Sequence, residues 1–316
     1  MKACINILFL GGSKRVSVGE LFIQAGIQMG RDVKIFSYEL DNKEPIACIG
    51  TIITGLKWKD PLLYGHLRSA IRDHNIHIVV PFVDIATVIC SRLKGELADT
   101  FFCVSDEAVC SALYDKKASH DWFVEKGFPV PSIEKEVPLV AKPLTGSGAK
   151  GMFFLRKEQE LDFFLNNCNP DEYFVQKFVE GEEFSVDCYI SKADTIISIV
   201  PRKRLEVTNG EATRSITVRD EEIIRQTRAI LRTEGFSGPV TVQYIRDKST
   251  GMLYLIEINP RLGSGVLTSC HAGADICRFI LNDFLDIPGE KEYLDWKDNI
   301  LMVRAFKEFY FDATNN

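Results

Sequence analysis

Leu255-Ile256-Glu257-Ile258-Asn259-Pro260-Arg261 is the stretch on which the fold turns. Successive side chains of a strand point to opposite faces, so Glu257 and Asn259 share one face. A carboxylate and an amide oxygen side by side are hard oxygen donors, suited to Mg²⁺ shared with phosphate. A solvated polar edge strand is the bland alternative. It fits poorly, because Leu255, Ile256 and Ile258 mark a buried sheet, where a carboxylate needs a partner. Arg261, just past Pro260, can reach a phosphoryl group or a carboxylate. Upstream, Val240 to Ile245 reads as the partner strand of a hairpin with Tyr254 to Ile258, and Asp247 to Gly251 makes the turn. Gln243 on that partner can sit beside Glu257 and complete a metal set.

Moving outward, Phe174 to Ser185 is a strand, a short Glu180-Gly181-Glu182 turn and a second strand. Exposed backbone there can pair with an adenine edge, and Glu183 can accept from ribose hydroxyls; a common surface turn is the alternative. Further upstream, Lys142-Pro143-Leu144-Thr145-Gly146-Ser147-Gly148-Ala149-Lys150-Gly151 joins two strands, Leu139 to Lys142 and Gly151 to Leu155. Glycines let the backbone approach a ligand closely, and successive N–H groups can cradle phosphate oxygens. The order G-x-x-x-x-G-K-[ST] is absent, so this is not a Walker loop. Between two strands it should be a mobile hairpin lid, and an ordinary flexible hairpin is the competing reading.

The first hundred residues alternate strand and helix patterns: Ile5 to Leu10, the helix Val18 to Met29, Val33 to Tyr38, the helix Leu62 to Ile71, His77 to Pro81, and Phe101 to Val104. Such alternation predicts a parallel sheet with right-handed crossovers. Gly11-Gly12-Ser13 resembles the start of a nucleotide-binding turn without the full G-x-G-x-x-G, which favours a tight turn or a substrate-facing loop. A helix opens at Tyr114-Asp115-Lys116-Lys117 and runs to Gly127. Helices over Gln159 to Asn167, Glu221 to Glu234 and Ala274 to Leu285, strands over Tyr173 to Phe178, Ser185 to Ile190 and Thr195 to Val200, and a last strand over Leu301 to Phe311 complete the expectation.

The 316 residues are 46% hydrophobic and 26% charged, enough for a sizeable core, and the net charge of -6 argues against a nucleic-acid partner. Nine cysteines without a C-x-x-C pair read as reduced thiols of a cytoplasmic protein. No run approaches the ~18 apolar residues of a membrane helix. Ile5 to Leu10 is too short for a secretory leader and reads as a buried strand.

The order Asp115-Lys116, Lys142-Pro143 with its glycine loop, the Val175 to Glu183 hinge, Gln243, then Glu257 to Arg261 resembles the ATP-grasp superfamily. Within it the chain is most similar to the carbamoyl-phosphate synthase large-subunit type and its stand-alone relatives, over residues 1 to about 290. The resemblance implies an α/β and α+β fold in three parts: a parallel-sheet pre-ATP-grasp domain (1–112), a small lid (113–184) and a β-rich C-terminal subdomain (185–316). ATP is then clamped between the last two. By the same resemblance Lys116 and Lys142 contact phosphates or the adenine edge. Thr145, Gly146, Ser147, Gly148 and Gly151 form the loop over the β- and γ-phosphates. Gln176, Lys177, Phe178 and Val179 hold adenine and Glu183 the ribose. Gln243, Glu257 and Asn259 hold Mg²⁺ (or Mn²⁺), with Glu257 also facing the nucleotide. Arg261, Lys142 and Arg204 serve the transferring phosphoryl group.

The implied reaction is ATP- and Mg²⁺-dependent ligation of a carboxylate to an amine (or thiol) through an acyl phosphate. The chain has one such unit where the carbamoyl-phosphate synthase large subunit has two, and it lacks a nucleophile elbow, so carbamoyl phosphate itself is not the expected product. A non-catalytic ATP-binding regulator is one rival. A bicarbonate-phosphorylating carboxylase-type subunit is another, though that type carries a longer C-terminal region. The expected partners are small-molecule carboxylate and amine substrates and a second copy of the chain in a homodimer, with no nucleic acid and no membrane. For substrate contact, Arg202-Lys203-Arg204 reads either as a solvated basic turn or as a carboxylate or phosphate site. Gly263-Ser264-Gly265 reads as a small-residue loop leaving room for substrate. His271 reads as structural more readily than as a base, and Arg15 is a weak candidate at the first strand's edge.

Overall fold

The structure, a computed structural model, describes residues 4–146, 148, 150–287 and 292–312. Its first part runs β1 (Cys4–Leu10), α1 (Val16–Gln28), β2 (Asp32–Glu39), β3 (Thr51–Thr54), α2 (Leu63–Asp73), β4 (Ile78–Pro81), α3 (Asp84–Lys94) and β5 (Phe101–Phe102). These strands form one parallel sheet in the order β3-β2-β1-β4-β5. The unbroken apolar run of β1 is explained by cover on both faces. Ile5, Ile7 and Phe9 enter one core with Phe22 and Ala25 of α1. Leu8 and Leu10 enter the other with Leu67, Ile71 and Val88.

Two elements of this part were not anticipated, β3 and α3. The strand expected over Phe101 to Val104 is only two residues long, because the Val104 N–H turns back to the Phe102 carbonyl. The helix expected to open at Tyr114 starts at Lys116, as α5 (Lys116–Glu125), and a shorter helix, α4 (Glu107–Tyr114), precedes it. Asp115 divides them: its backbone is extended, and its carboxylate accepts from the N–H groups of Lys117 and Ala118 at 2.9 Å each, an N-cap that starts a new helix.

β6 (Leu139–Pro143), β7 (Phe153–Leu155), α6 (Glu158–Asn167) and β8 (Tyr173–Lys177) follow, with the antiparallel order β7-β6-β8. One face of this small sheet packs Leu139, Ala141 and Leu155 on Phe164. Directly opposed residues of antiparallel strands share a face, so the pairs Val140–Gln176 and Lys142–Phe174 lie on the other one.

β9 (Gly181–Ile190), β10 (Ile196–Thr208), β11 (Glu211–Thr217), α7 (Glu221–Leu231), β12 (Gly238–Asp247), β13 (Leu253–Asn259), α8 (Val266–His271), α9 (Ile276–Phe284) and β14 (Leu301–Val303) complete the chain. The strands make a six-stranded antiparallel sheet, β13-β12-β9-β10-β11-β14. α7 stops short of Glu234, where the Thr233 N–H closes onto Ile230. α9 starts at Ile276, capped by Asp275, rather than at Ala274. β10 runs well past Val200, and β11 was not anticipated. The two join through Asn209-Gly210, with φ of 51° and 77°, the pair of left-handed residues that a two-residue hairpin turn demands. The last strand ends at Val303, not Phe311; the Arg304 N–H still donates to Thr213 O, while its side chain binds Glu211 and the Ser264 carbonyl. Beyond it Phe306 and Tyr310 are exposed. Among the described residues no helix is long and apolar enough to cross a membrane, and all nine cysteines are free thiols.

Candidate active site

Period-two alternation divides the large sheet cleanly. Phe184, Val186, Cys188, Val240, Val242, Tyr244 and Ile258 face one core with α7. Their neighbours Ser185, Asp187, Thr241, Gln243, Glu257 and Asn259 point to the opposite face, which is polar there. There the register puts Glu257 against Gln243 and Gln243 against Ser185, with Asn259 against Thr241 and Thr241 against Asp187 one step along. The structure therefore brings Gln243, Glu257 and Asn259 together on one surface. A bulge at Ile256, between the Gln243–Glu257 and Tyr244–Leu255 pairs, lets β13 present Glu257 here while Leu255 stays in the core.

Lys142 reaches this surface from the small sheet. Burial pulls its ammonium down from 10.5 to about 8; Glu257 and Glu183 oppose that fall, while Lys116 adds to it. Among the described residues the half-buried Glu257 carboxylate accepts no hydrogen bond, and the charges of Lys142 and Arg204 lie nearby. Asn259 is buried, and its amide oxygen, which has two lone pairs, accepts from one Arg261 nitrogen at 3.1 Å. Underused oxygen donors of this kind fit a divalent cation shared with phosphate.

Burial sets the pH response of Lys142, and its two consequences have opposite signs. The unfolded chain keeps the lysine proton up to 10.5 while the folded chain releases it near 8, so this group raises stability as pH climbs from about 8 to 10.5. If Lys142 contacts phosphate, affinity should move the other way, because only its charged form attracts the anion. Calorimetric ADP titrations should show affinity falling roughly tenfold per pH unit above pH 8. Lys142→Arg, which keeps its charge throughout, should flatten the profile. A flat wild-type profile would remove Lys142 from the phosphate contacts.

The glycine loop carries positive φ at Gly146, Gly148 and Gly151, and Thr145 is exposed. Ser147 lies outside the described residues. Lys116 holds the loop, its N–H donating to Leu144 O and its ammonium to Gly146 O at 3.0 Å. The tip of the β10–β11 hairpin touches it too: a side chain at Gly210 would come within 2.6 Å of the Gly148 backbone. Asn209-Gly210 is thus a contact the sequence reading missed, although Asn-Gly between extended residues is a strong hairpin signal. In the hinge, the N–H groups of Lys177 and Phe178 are already committed to the Ser132 and Pro138 carbonyls. Gln176 and Val179 are buried, and Lys177 is exposed.

The basic run is corrected in part. Arg202-Lys203-Arg204 is not a turn but the middle of β10. Arg202 is no substrate ligand: it and Asp187 are each 2% exposed, joined by two hydrogen bonds of 2.6 and 3.1 Å. Ser269 also donates to Asp187 at 2.5 Å. Gly263-Ser264-Gly265 does not leave room for substrate at its glycines, because that space is filled from below. A side chain on Gly265 would meet the Arg202 guanidinium at 2.3 Å, and one on Gly263 would meet Thr241 at 2.8 Å. Arg204 does reach the polar face, paired with Glu183 at 2.9 Å and donating to Gly210 O. Burial lowers its pKa, Glu183 and Glu257 working against the fall.

Arg261 faces the first sheet. Its Nε donates to Asp84 at 2.6 Å, and its other nitrogens to Leu262 O and Asn259 Oδ1. Asp84 starts α3 just beyond β4, and the neighbours of β4 and β1 lead in opposite directions, so the pair sits at the crevice where such sheets bind ligands. On the same edge Arg15 donates to Glu211, which also holds Arg304. Burial raises the Glu211 pKa, but the two guanidiniums outweigh it and leave the carboxylate below its usual range. Glu39 occupies the Gly11-Gly12 turn, accepting from Ser37 and from the Gly12 and Ser13 N–H groups. Those amides are therefore taken, which argues against a dinucleotide there. His271 is exposed beside a separate cavity.

Comparison with known proteins finds one matching family model and several distant relatives. Residues 169–309 match the family model described as "ATP-grasp in the biosynthetic pathway with Ter operon". A carbamoyl phosphate synthase large chain of Clostridium botulinum (strain Alaska E43 / Type E3) is 27% identical over 192 residues, 54% of this chain but 17% of that one. A D-alanine–D-alanine ligase of Rickettsia akari is 24% identical over 174 residues, covering 48% and 54% of the two chains. Among solved structures, the biotin carboxylase domain of Hydrogenobacter thermophilus 2-oxoglutarate carboxylase, bound to MgADP, ADP and bicarbonate, overlays with a TM-score of 0.72 at 16% identity, over 94% of this chain and 73% of that one. The Staphylococcus aureus N5-carboxyaminoimidazole synthetase bound to ADP overlays at 0.71 and 18% identity, over 96% and 81%. At such identities the overlays speak for the fold.

Proposed function

We propose that this chain, which carries an ATP-grasp domain, is an ATP- and Mg²⁺-dependent ligase that joins a carboxylate to an amine through an acyl phosphate. The observation that carries the proposal is the face shared by Gln243, Glu257 and Asn259, with Lys142 and Arg204 beside it. Three units, 1–112, 113–184 and 185–316, serve it. Gln243, Glu257 and Asn259 would hold Mg²⁺, which when bound neutralises phosphate charge. Lys142 and the Thr145 to Gly151 loop take the phosphates, with Lys116 fixing the loop. Val179 offers the hinge N–H still open to adenine, on an apolar wall of Val140 and Phe174. Glu183 takes the ribose and Arg204 the transferring phosphoryl group. Arg261 orients Asn259 and closes the site toward Asp84. The acid sits in the crevice by Asp84.

In the reaction an acid oxygen attacks the γ-phosphorus, the bond to the β-bridging oxygen breaks, and ADP leaves with that electron pair. The amine then attacks the acyl carbon, phosphate departs with the C–O electrons, and the amine proton passes to solvent. Positioning and charge neutralisation dominate such chemistry.

The test is Mg²⁺-dependent ADP release across amino acids, small carboxylates and bicarbonate, with hydroxylamine added to trap acyl phosphate. We expect one acid to give a hydroxamate and one acid–amine pair to raise turnover. Bicarbonate alone raising turnover would favour the carboxylase-type reaction. ATP binding without ADP release from any member would favour a regulator.

A further inference from the structure

Away from the nucleotide face, the turn from α8 into α9 gathers two thiols and a carboxylate. Cys270 lies in the last turn of α8, Asp275 caps α9, and Cys277 lies in its first turn. One ligand atom from each lies within 4.8 Å of the other two. Cys277 is fully buried, while Cys270 and Asp275 are half-buried. Asp275 and Cys270 also line a cavity of about 640 Å³, which Glu20 and Gln24 of α1 and His271 close from other sides.

A pair of buried thiols packed on each other needs no partner, and hydrophobic packing alone would explain them. Asp275 caps α9, its carboxylate accepting from Arg278 N, but packing of the two thiols does not require that carboxylate to lie within 4.8 Å of both at the rim of the cavity. Two sulfur donors and one oxygen suit a borderline-soft divalent cation such as zinc. Three protein ligands leave a fourth position, and here it opens onto the cavity, as in zinc sites that accept an outside ligand.

We propose that Cys270, Asp275 and Cys277 form a zinc-type metal site whose open position faces this cavity. The site would tie α8 to α9. Thr268 and Ser269 of the same short helix contact Ser215 and Asp187, so the metal would fix the helix that supports the Arg202–Asp187 pair. Binding replaces two thiol protons, which pass to solvent, so affinity rises with pH.

The test uses the full chain, reduced and stripped with chelator, titrated with Zn²⁺ by calorimetry and with Co²⁺ by absorption. We expect one tight equivalent, a thiolate-to-cobalt charge-transfer band, and a rise in Tm with Zn²⁺. Asp275→Asn keeps a competent helix cap and should weaken Zn²⁺ by more than roughly 10–100-fold, the loss that even an outer partner produces. Cys270→Ser, at a partly exposed position, should remove most of the cobalt band. Absence of a tight equivalent would overturn the site. So would binding unchanged in both variants, since other cysteines would then be responsible. Ligase turnover is not part of the readout, so failure here leaves the proposed reaction standing.

Discussion

Glu257→Ala should leave a folded protein that still binds ADP but releases it from ATP roughly 10²–10³-fold more slowly, the size of effect seen when one preorganised electrostatic partner is removed from a transition state. The fold should tolerate the change. Glu257 accepts no hydrogen bond among the described residues, so removing it orphans no donor. Lys142 and Arg204 lose a neighbouring anion but keep Glu183. The Glu257→Gln variant separates charge from shape: it keeps an oxygen donor opposite Gln243 and should fall between alanine and wild type. Saturating Mg²⁺ should restore part of its rate, because a weakened metal set is refilled by mass action. Steady-state ADP release over a range of Mg²⁺, with a denaturation midpoint for each variant, decides the matter. Wild-type turnover in Glu257→Ala would remove the carboxylate from the metal set, and a collapsed midpoint would make it a folding residue.

Much of this surface was readable before the fold was known, for a local reason. The Asp247 to Gly251 turn and two alternating strands fix which residues oppose one another, and the register indeed sets Gln243 against Glu257. Only the bulge at Ile256 escaped, because a bulge leaves the alternation of a single short strand ambiguous. The parallel first sheet was equally legible from runs such as Ile5 to Leu10. α3 was not, although Asp84 opens it and Arg92 and Lys94 close it with charges that complement the helix dipole. Its apolar stretch was too uniform to show a helical period.

Long-range pairing is what the residues could not announce. Nothing near Arg202 in sequence says that its partner is Asp187, fifteen residues back, or that Gly265 packs against the guanidinium. Three basic residues in a row look like a solvated turn. Only the strand's alternation, which turns Arg202 and Arg204 inward, made that wrong. Asp84 and Arg261 are farther apart still, 177 residues, and their meeting follows from how the first sheet docks, not from any spacing.

Asp187→Ala should strongly destabilise the fold. The pair is 2% exposed on both sides, so alanine strands a buried guanidinium whose remaining polar contact is Ser215 at 3.4 Å. It also deprives Ser269 of its acceptor. Breaking a buried pair in this way costs about 3–5 kcal/mol, whereas replacing both members with well-packed apolar residues is often neutral or stabilising. Urea denaturation of Asp187→Ala, Arg202→Met and the Asp187→Leu/Arg202→Met double variant distinguishes the two terms. Large losses in both single variants and recovery in the double would mean that the ion pair is a desolvated unit that supports the sheet without strongly stabilising it. Losses below about 1 kcal/mol in the singles, the range of exposed pairs, would mean that water reaches Arg202 and would reopen it as a ligand for substrate. The pair therefore bears on function as well as stability. If Arg202 is sealed, Arg204 is the cation of the basic run left to face the transferring group, and Arg204→Ala should then reduce turnover with little change in the denaturation midpoint.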